Sequence, residues 1–120
     1  MKKITIIIPV FNEEEALPTL YTRLNEISNM ITNVPGASLV LKFSAVTYSN
    51  EFKIKMGVSS GVIDKYSVYS IETAMEMSKN ISDFANSDYG IGVTGQINRQ
   101  DQNNIVEDTD KIYVSIYDKN

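Results

Sequence analysis

The stretch Ile4-Thr5-Ile6-Ile7-Ile8-Pro9-Val10 decides the fold class of this chain. It is a nearly continuous run of β-branched side chains, without the polar alternation of a strand that has one face in water. Such a run is typical of a strand buried on both faces at the centre of an α/β sheet. Pro9 ends the run because proline cannot donate a hydrogen bond to a neighbouring strand.

A long amphipathic helix is predicted after this strand. Asn12 can cap the helix, and the glutamates at 13–15 suit the positive end of its dipole. Apolar residues then recur at helical spacing to about Thr32, at Leu17, Leu20, Leu24, Ile27 and Ile31. The turn Val34-Pro35-Gly36 indicates that the helix has ended.

The remaining chain predicts strands and helices that alternate around the same sheet. We expect a strand over 39–48, a short helix over 52–56 capped by Asn50, and a loop rich in Ser and Gly. Ser70 caps the next helix, which should bury Ile71, Ala74 or Met75, Ser78, Ile81 and Ala85. Strands at 89–94 and 112–117 follow, separated by a polar loop. This order predicts one three-layer α/β/α domain over residues 1–120 with a central mixed sheet.

Composition excludes several kinds of site. The chain has no cysteine and no histidine, which excludes disulfides, zinc–thiolate sites and Ser–His catalysis. Its net charge is −4 without a basic cluster, so nucleic acid is not an expected partner. No apolar run is long enough to span a membrane, and the basic and apolar start lacks a cleavage site. We therefore expect a cytoplasmic protein with no metal and no cofactor.

Several segments resemble the C-terminal domain of the CinA family. Residues 34–38, Val-Pro-Gly-Ala-Ser, are similar to the family's V-P-G-[AS]-S turn, and residues 46–53 to its [VA]-x-Y-[ST]-N-x-x-K segment. Residues 92–95, Gly-Val-Thr-Gly, are similar to its A-V-T-G turn, and residues 112–114 to its final V-Y-[IV] strand. The order and spacing of these motifs extend the resemblance from about residue 31 to residue 117.

The resemblance implies the fold of a nicotinamide-mononucleotide amidohydrolase, which hydrolyses the carboxamide of that nucleotide to the acid and ammonia. The family's nucleophile is a serine in an E-S-x-T-G-G turn after its first strand. The tyrosine and lysine of Y-S-N-x-x-K and the threonine of V-T-G line the same pocket. Carried onto this chain, these are Tyr48, Lys53 and Thr94, our candidate catalytic residues. A lysine with a lowered pKa can accept the proton of a serine without histidine.

The nucleophile of that family has no counterpart here. The sequence contains no E-S-x-T-G-G turn, and an ungapped count places Tyr21 at the position of the serine. Loss of a nucleophile can cost about a million-fold in turnover. We therefore expect a domain that has lost catalysis and keeps a nucleotide pocket. An active amidohydrolase with a rearranged site is the alternative, with Ser44, Ser49 or Ser70 as substitute nucleophile.

The beginning of the chain resembles a different family. Residues 6–14, Ile-Ile-Ile-Pro-Val-Phe-Asn-Glu-Glu, are similar to the opening of family 2 glycosyltransferases, I-I-I-P-[VA]-[YF]-N-E-E. There this strand end and acidic loop help to hold the nucleotide of a sugar donor. Asp108-Thr109-Asp110 has the letters of that family's D-x-D metal site, but a polar acidic loop often contains them by chance.

We interpret the chain as a chimera of a glycosyltransferase-like strand–helix unit, residues 1–30, and a CinA-like remainder, residues 31–120. A nucleotide-sugar-binding fragment and a purely structural chimera are therefore further alternatives. The expected ligand is a small nucleotide of the nicotinamide-mononucleotide type. Since related domains often self-associate, we also expect a homodimer.

Overall fold

The computed structural model describes residues 2–8, 26, 29–47, 49–96 and 111–120. Four strands form one sheet in the order β2-β1-β3-β4: β1 (Ile4–Ile8), β2 (Leu41–Val46), β3 (Tyr89–Gln96) and β4 (Lys111–Asp118). The central strand β1 runs parallel to β2 and to β3, and β3 runs antiparallel to β4. The mixed sheet and the central position of the first strand are therefore confirmed.

Helices lie on both faces of this sheet. They are a helical stretch at 29–32 followed by α1 (Ala37–Val40), α2 (Asn50–Lys55), α3 (Ser60–Tyr66) and α4 (Ile71–Ala85). The core lies between the sheet and the α2–α4 layer. It consists of Val58, Met77 and Ile81, against which Phe43, Ala45, Met56 and Ile63 pack.

Helix α4 crosses β3 at a distance that only glycine in the strand allows. A Cβ atom at Gly90 would lie 1.8 Å from the carbonyl oxygen of Ser78, and one at Gly92 would lie 2.4 Å from that of Ala74. The facing residues of the helix are also small. The close contact therefore fixes α4, and with it the connection that enters α4, against the centre of the sheet.

The predicted buried face of α4 is confirmed except at Ile71, and the close contact decides between the alternatives Ala74 and Met75. Ala74, Ser78 and Ile81 are buried as predicted, but Met75 is 57% exposed and Ile71 is exposed as well. The small residues turn toward the glycines of β3, which rotates Met75 outward. Three more predictions were wrong: Ser60–Tyr66 forms a helix where we expected a loop, and Leu39 lies in a helical turn before β2. In addition, α2 is capped by Ser49 and not by Asn50.

The one polar residue within β1 has a structural explanation. The hydroxyl of Thr5 is buried and donates to the Oγ of Ser87, 2.9 Å away, in the turn between α4 and β3. The Ser82 hydroxyl in turn donates to the carbonyl oxygen of Ser87 at 2.7 Å. These bonds join the amino end of the sheet to the end of α4 and stabilise this end of the domain.

Candidate functional site at the carboxyl edge of the sheet

The sheet topology indicates where a ligand would bind. In open α/β sheets, ligands bind outside the carboxyl ends of the parallel strands, where the chain connections diverge from a central strand. Here β1 is that strand, with Ile8 paired to Val46 and Ile7 paired to Gly92. Neighbouring strands lie about 4.8 Å apart, so the backbones that follow Val46 and Gly92 are separated by about 10 Å. This spacing suits a small-molecule cleft.

Lys53 is brought to this edge by α2, the helix that follows β2. Ser49 caps the helix, since its Oγ accepts a hydrogen bond of 3.2 Å from the backbone nitrogen of Phe52. The Lys53 side chain turns inward and is only 3% exposed, whereas Lys55 is solvent-exposed and pairs with Glu51. The Nζ of Lys53 donates to the backbone carbonyl oxygen of Thr47 at 3.3 Å. Burial of an ammonium group is costly unless the group is hydrogen-bonded or paired, so the inward position of Lys53 depends on its contacts at this edge.

Thr94 lies on β3 at the same edge and is fully buried. Its hydroxyl donates a 2.7 Å hydrogen bond to the carbonyl oxygen of Val68, in the connection between α3 and α4. The same connection is held from the other side, because the hydroxyls of Ser70 and Thr73 both donate to the carbonyl oxygen of Ser67. The amino end of the long helix α4 is therefore fixed at the carboxyl edge, where its dipole favours a negative group.

Two of the three predicted site residues can be placed. Lys53 lies on α2, the helix that follows β2, and Thr94 lies on β3, so the two residues belong to the segments on either side of β1. Tyr48 lies outside the described residues, as do Tyr21, the glutamates at 13–15 and the Asp108–Asp110 segment. The catalytic role of Tyr48, Lys53 and Thr94 stays a prediction.

Sequence reasoning missed Thr47, which follows β2 directly. It is 2% exposed, and its hydroxyl oxygen forms no hydrogen bond with any described residue. The resemblance offered no signal for it, because this position is the variable one in [VA]-x-Y-[ST]-N-x-x-K. Only the structure shows that the same residue contacts Lys53 through its carbonyl and buries an unsatisfied hydroxyl.

An apolar groove of about 470 Å³ lies elsewhere, at the amino ends of the strands. Its lining comes from the sheet and from the segment that precedes β2, and includes Ile4, Ile31, Val34 and Ile91. The groove offers almost no polar group to orient a ligand, so we place the candidate site at the carboxyl edge instead.

Two other kinds of site have no support in the described part of the chain. Across residues 2–8, 26, 29–47, 49–96 and 111–120, no three acidic side chains converge closely enough to hold a metal ion. Nor do these residues include a helix with the length and apolar character needed to cross a membrane.

Comparison with known proteins identifies the family. Residues 26–106 match the family described as the CinA C-terminal domain. A putative competence-damage inducible protein of Caldanaerobacter subterraneus is 46% identical over 70 residues, which are 58% of this chain and 17% of that protein. A CinA-like protein of Endomicrobium trichonymphae is 43% identical over 70 residues, 58% of this chain and 16% of that protein. The chain thus spans about a sixth of the length of these relatives.

Solved structures share the fold across nearly the whole chain. The competence/damage inducible protein CihA from Agrobacterium tumefaciens superposes with a TM-score of 0.71 at 17% identity, covering 98% of this chain and 64% of that one. A competence or damage-inducible protein from Enterobacter asburiae gives a TM-score of 0.73 at 15% identity, covering 98% and 67%. The family match, which covers more than half of the residues, shows that this chain belongs to the CinA C-terminal domain family.

Proposed function

We propose that this chain keeps a pyridine-nucleotide pocket at the carboxyl edge of its sheet and has lost the amide hydrolysis that the CinA resemblance implies. The observation that carries the proposal is the buried side chain of Lys53, whose Nζ lies 3.3 Å from the carbonyl oxygen of Thr47. Lys55, two residues further along the same helix, extends into water instead.

Two features at the carboxyl edge of the sheet suit a nucleotide. Lys53 supplies a cation on the β2 side of β1, and the amino end of α4, held by Thr94, supplies a dipole on the β3 side. A nucleotide has two regions of different chemistry, a base and a phosphate, that could occupy these two positions.

The loss of hydrolysis follows from the missing nucleophile. The sequence has no E-S-x-T-G-G turn. Two of the three substitute serines are engaged in capping helices: the Ser49 oxygen accepts from Phe52, and the Ser70 oxygen accepts from Thr73. The third, Ser44, is exposed on β2 and pairs with Ile6 on the sheet face opposite the α2–α4 layer. None of them is in place to attack a carboxamide beside Lys53, which disfavours an active rearranged site.

Isothermal titration with nicotinamide mononucleotide tests the pocket. We expect binding by the unaltered protein, binding of similar strength by the matched Lys55→Ala control, and at least about ten-fold weaker binding by Lys53→Ala. Circular dichroism establishes that each variant is folded. Absence of binding in the unaltered protein contradicts the proposal. Binding of uridine diphosphate with Mn²⁺ in its place would support the glycosyltransferase-type alternative.

A further inference from the structure

Ser67, between α3 and α4, has a backbone conformation that is nearly confined to glycine. Its φ is 74° and its ψ is 159°. A Cβ atom makes this conformation unfavourable, so a serine keeps it only where the surrounding structure enforces it. In the described part of the chain, the other non-glycine residue with a positive φ is Asn86, at the end of α4. Its φ of 47° and ψ of 53° are left-handed helical values that asparagine tolerates, so the strain is concentrated at Ser67.

Hydrogen bonds from three elements hold Ser67 in this conformation. Its backbone nitrogen donates to the carbonyl oxygen of Ile63, in α3, at 2.9 Å. Its carbonyl oxygen accepts from the hydroxyls of Ser70 and Thr73, at the start of α4, at 2.9 and 2.8 Å. The carbonyl oxygen of the next residue accepts from the hydroxyl of Thr94 in β3. We call these four bonds the latch, and breaking the latch would relieve the strain.

The elements on the two sides of the latch are held unequally. Helix α3 buries none of its residues completely, and its amino end is joined to α4 by the bond from the backbone nitrogen of Ser59 to Glu76. The middle of α4 is fixed instead by the close approach of Ala74 and Ser78 to the glycines of β3. Local opening that releases α3 and the first turn of α4, with the remaining domain folded, therefore costs little free energy. Relief of the strain at Ser67 lowers this cost further.

We propose that the latch is a conformational switch. Residues 60–73 alternate between the latched state and a released state, in which the backbone of Ser67 leaves its strained conformation and the first turn of α4 frays. The amino end of α4 is presented to the carboxyl edge of the sheet in the latched state, so a ligand bound there selects that state. The coupling to a ligand rests on the proposed nucleotide pocket, whereas the opening itself does not.

Hydrogen exchange of the backbone amides of the full chain, followed by mass spectrometry, tests the switch. In the unaltered protein we expect residues 60–73 to exchange together, at least about ten-fold faster than residues 74–85. Ser67→Gly should slow the exchange of residues 60–73 by about three- to thirty-fold, because glycine removes the strain that favours release. Circular dichroism establishes that the variant is folded, and exchange that is not slowed in folded Ser67→Gly overturns the switch.

Two control variants separate the backbone strain from other effects. Ser67→Ala removes the hydroxyl but keeps the Cβ atom, so it should not slow the exchange of residues 60–73. Asn86→Gly changes a positive φ at the opposite end of α4 and should also leave this segment as it is. Slowing in either control as large as that in Ser67→Gly would overturn strain at Ser67 as the cause.

Nicotinamide mononucleotide at a saturating concentration provides a second readout. We expect it to slow the exchange of residues 60–73 at least about three-fold more than that of residues 74–85. Binding in a titration without this selective slowing overturns the coupling and leaves the nucleotide pocket intact. Failure of the nucleotide to bind overturns the pocket and the coupling together, and slowed exchange in Ser67→Gly would then still support the strained switch.

Discussion

The hydroxyl of Thr94 donates a hydrogen bond of 2.7 Å to the carbonyl oxygen of Val68, and Thr94 is completely buried. The bond joins β3 to the connection in front of α4 across 26 residues of sequence. It gives Thr94 a clear role in placing the amino end of α4 at the candidate site. A contact between Thr94 and a ligand would have to compete with this bond.

Thr94→Val should therefore reduce stability. The substitution keeps the volume but leaves the Val68 carbonyl without its donor, which should lower the free energy of unfolding by about 1–3 kcal/mol. Urea denaturation followed by circular dichroism measures the loss. Ser38→Ala, which removes an exposed hydroxyl in α1, is the control. An unchanged denaturation midpoint in Thr94→Val would contradict a structural role for this bond.

The contact between α4 and β3 predicts a sharp difference between two glycines. A Cβ at Gly90 would lie 1.8 Å from the backbone of Ser78, so Gly90→Ala should destabilise the protein by about 3 kcal/mol or more. A Cβ at Gly61, in α3, meets nothing closer than 3.5 Å, so Gly61→Ala should be neutral or stabilising by up to about 1 kcal/mol. Thermal unfolding of the two variants measures this difference, and similar Tm values would refute the close approach.

Acid should remove a small stabilising contribution of Asp83. The hydrogen bond from Lys79, followed by the charges of Lys79 and Lys119, lowers the pKa of Asp83 below its ordinary value. A carboxyl whose pKa is lowered by folding stabilises the native state above its unfolded pKa, and this contribution disappears as the pH falls through the folded pKa.

Because Asp83 is largely exposed, the contribution should be small, about 0.2–1 kcal/mol. Asp83→Asn should therefore be slightly less stable than the unaltered protein at pH 7 and equal to it near pH 2. The exposed Asp64→Asn on α3 serves as the control. Denaturant titrations at the two pH values measure the difference in the free energy of unfolding between Asp83→Asn and the unaltered protein. A difference that grows in acid would contradict the sign that we expect.

The homodimer expected from the sequence can be tested at the edge strand β4. Its apolar side chains Ile112, Val114 and Ile116 point to the face away from α4, and Ile116 is 70% exposed. Antiparallel pairing of two copies about Val114 would place Ile112 of one copy opposite Ile116 of the other, which is a self-complementary arrangement.

Val114→Lys should abolish that association, because it would place two lysines face to face at the two-fold axis. Ser44→Lys adds the same charge to the same face of β2, at the other edge of the sheet, and should leave association unchanged. Light scattering coupled to size-exclusion chromatography measures the mass. A dimer that survives in Val114→Lys would exclude this interface.

Local sequence predicted the sheet and helix α4 but not the contacts that decide the site, and most of the helix predicted to end near Thr32 lies outside the described residues. The β-branched run of β1 and the cap at Ser70 act locally, and both predictions were confirmed. Helix α3 was missed because its cap is not local: the backbone nitrogen of Ser59 donates to a carboxylate oxygen of Glu76, in α4. Burial of Lys53 depends on how α2 leaves the sheet, and charged residues in a sequence are ordinarily predicted to be exposed.

Release of ammonia from nicotinamide mononucleotide tests the central claim most directly. The protein is incubated with the nucleotide at a concentration at which titration shows the pocket to be occupied, beside Lys53→Ala and a sample without protein. If the chain is a binding domain without a nucleophile, the unaltered protein and Lys53→Ala should both release ammonia at the rate of the protein-free sample. Robust release by the unaltered protein that disappears in Lys53→Ala would contradict it and would establish an active amidohydrolase.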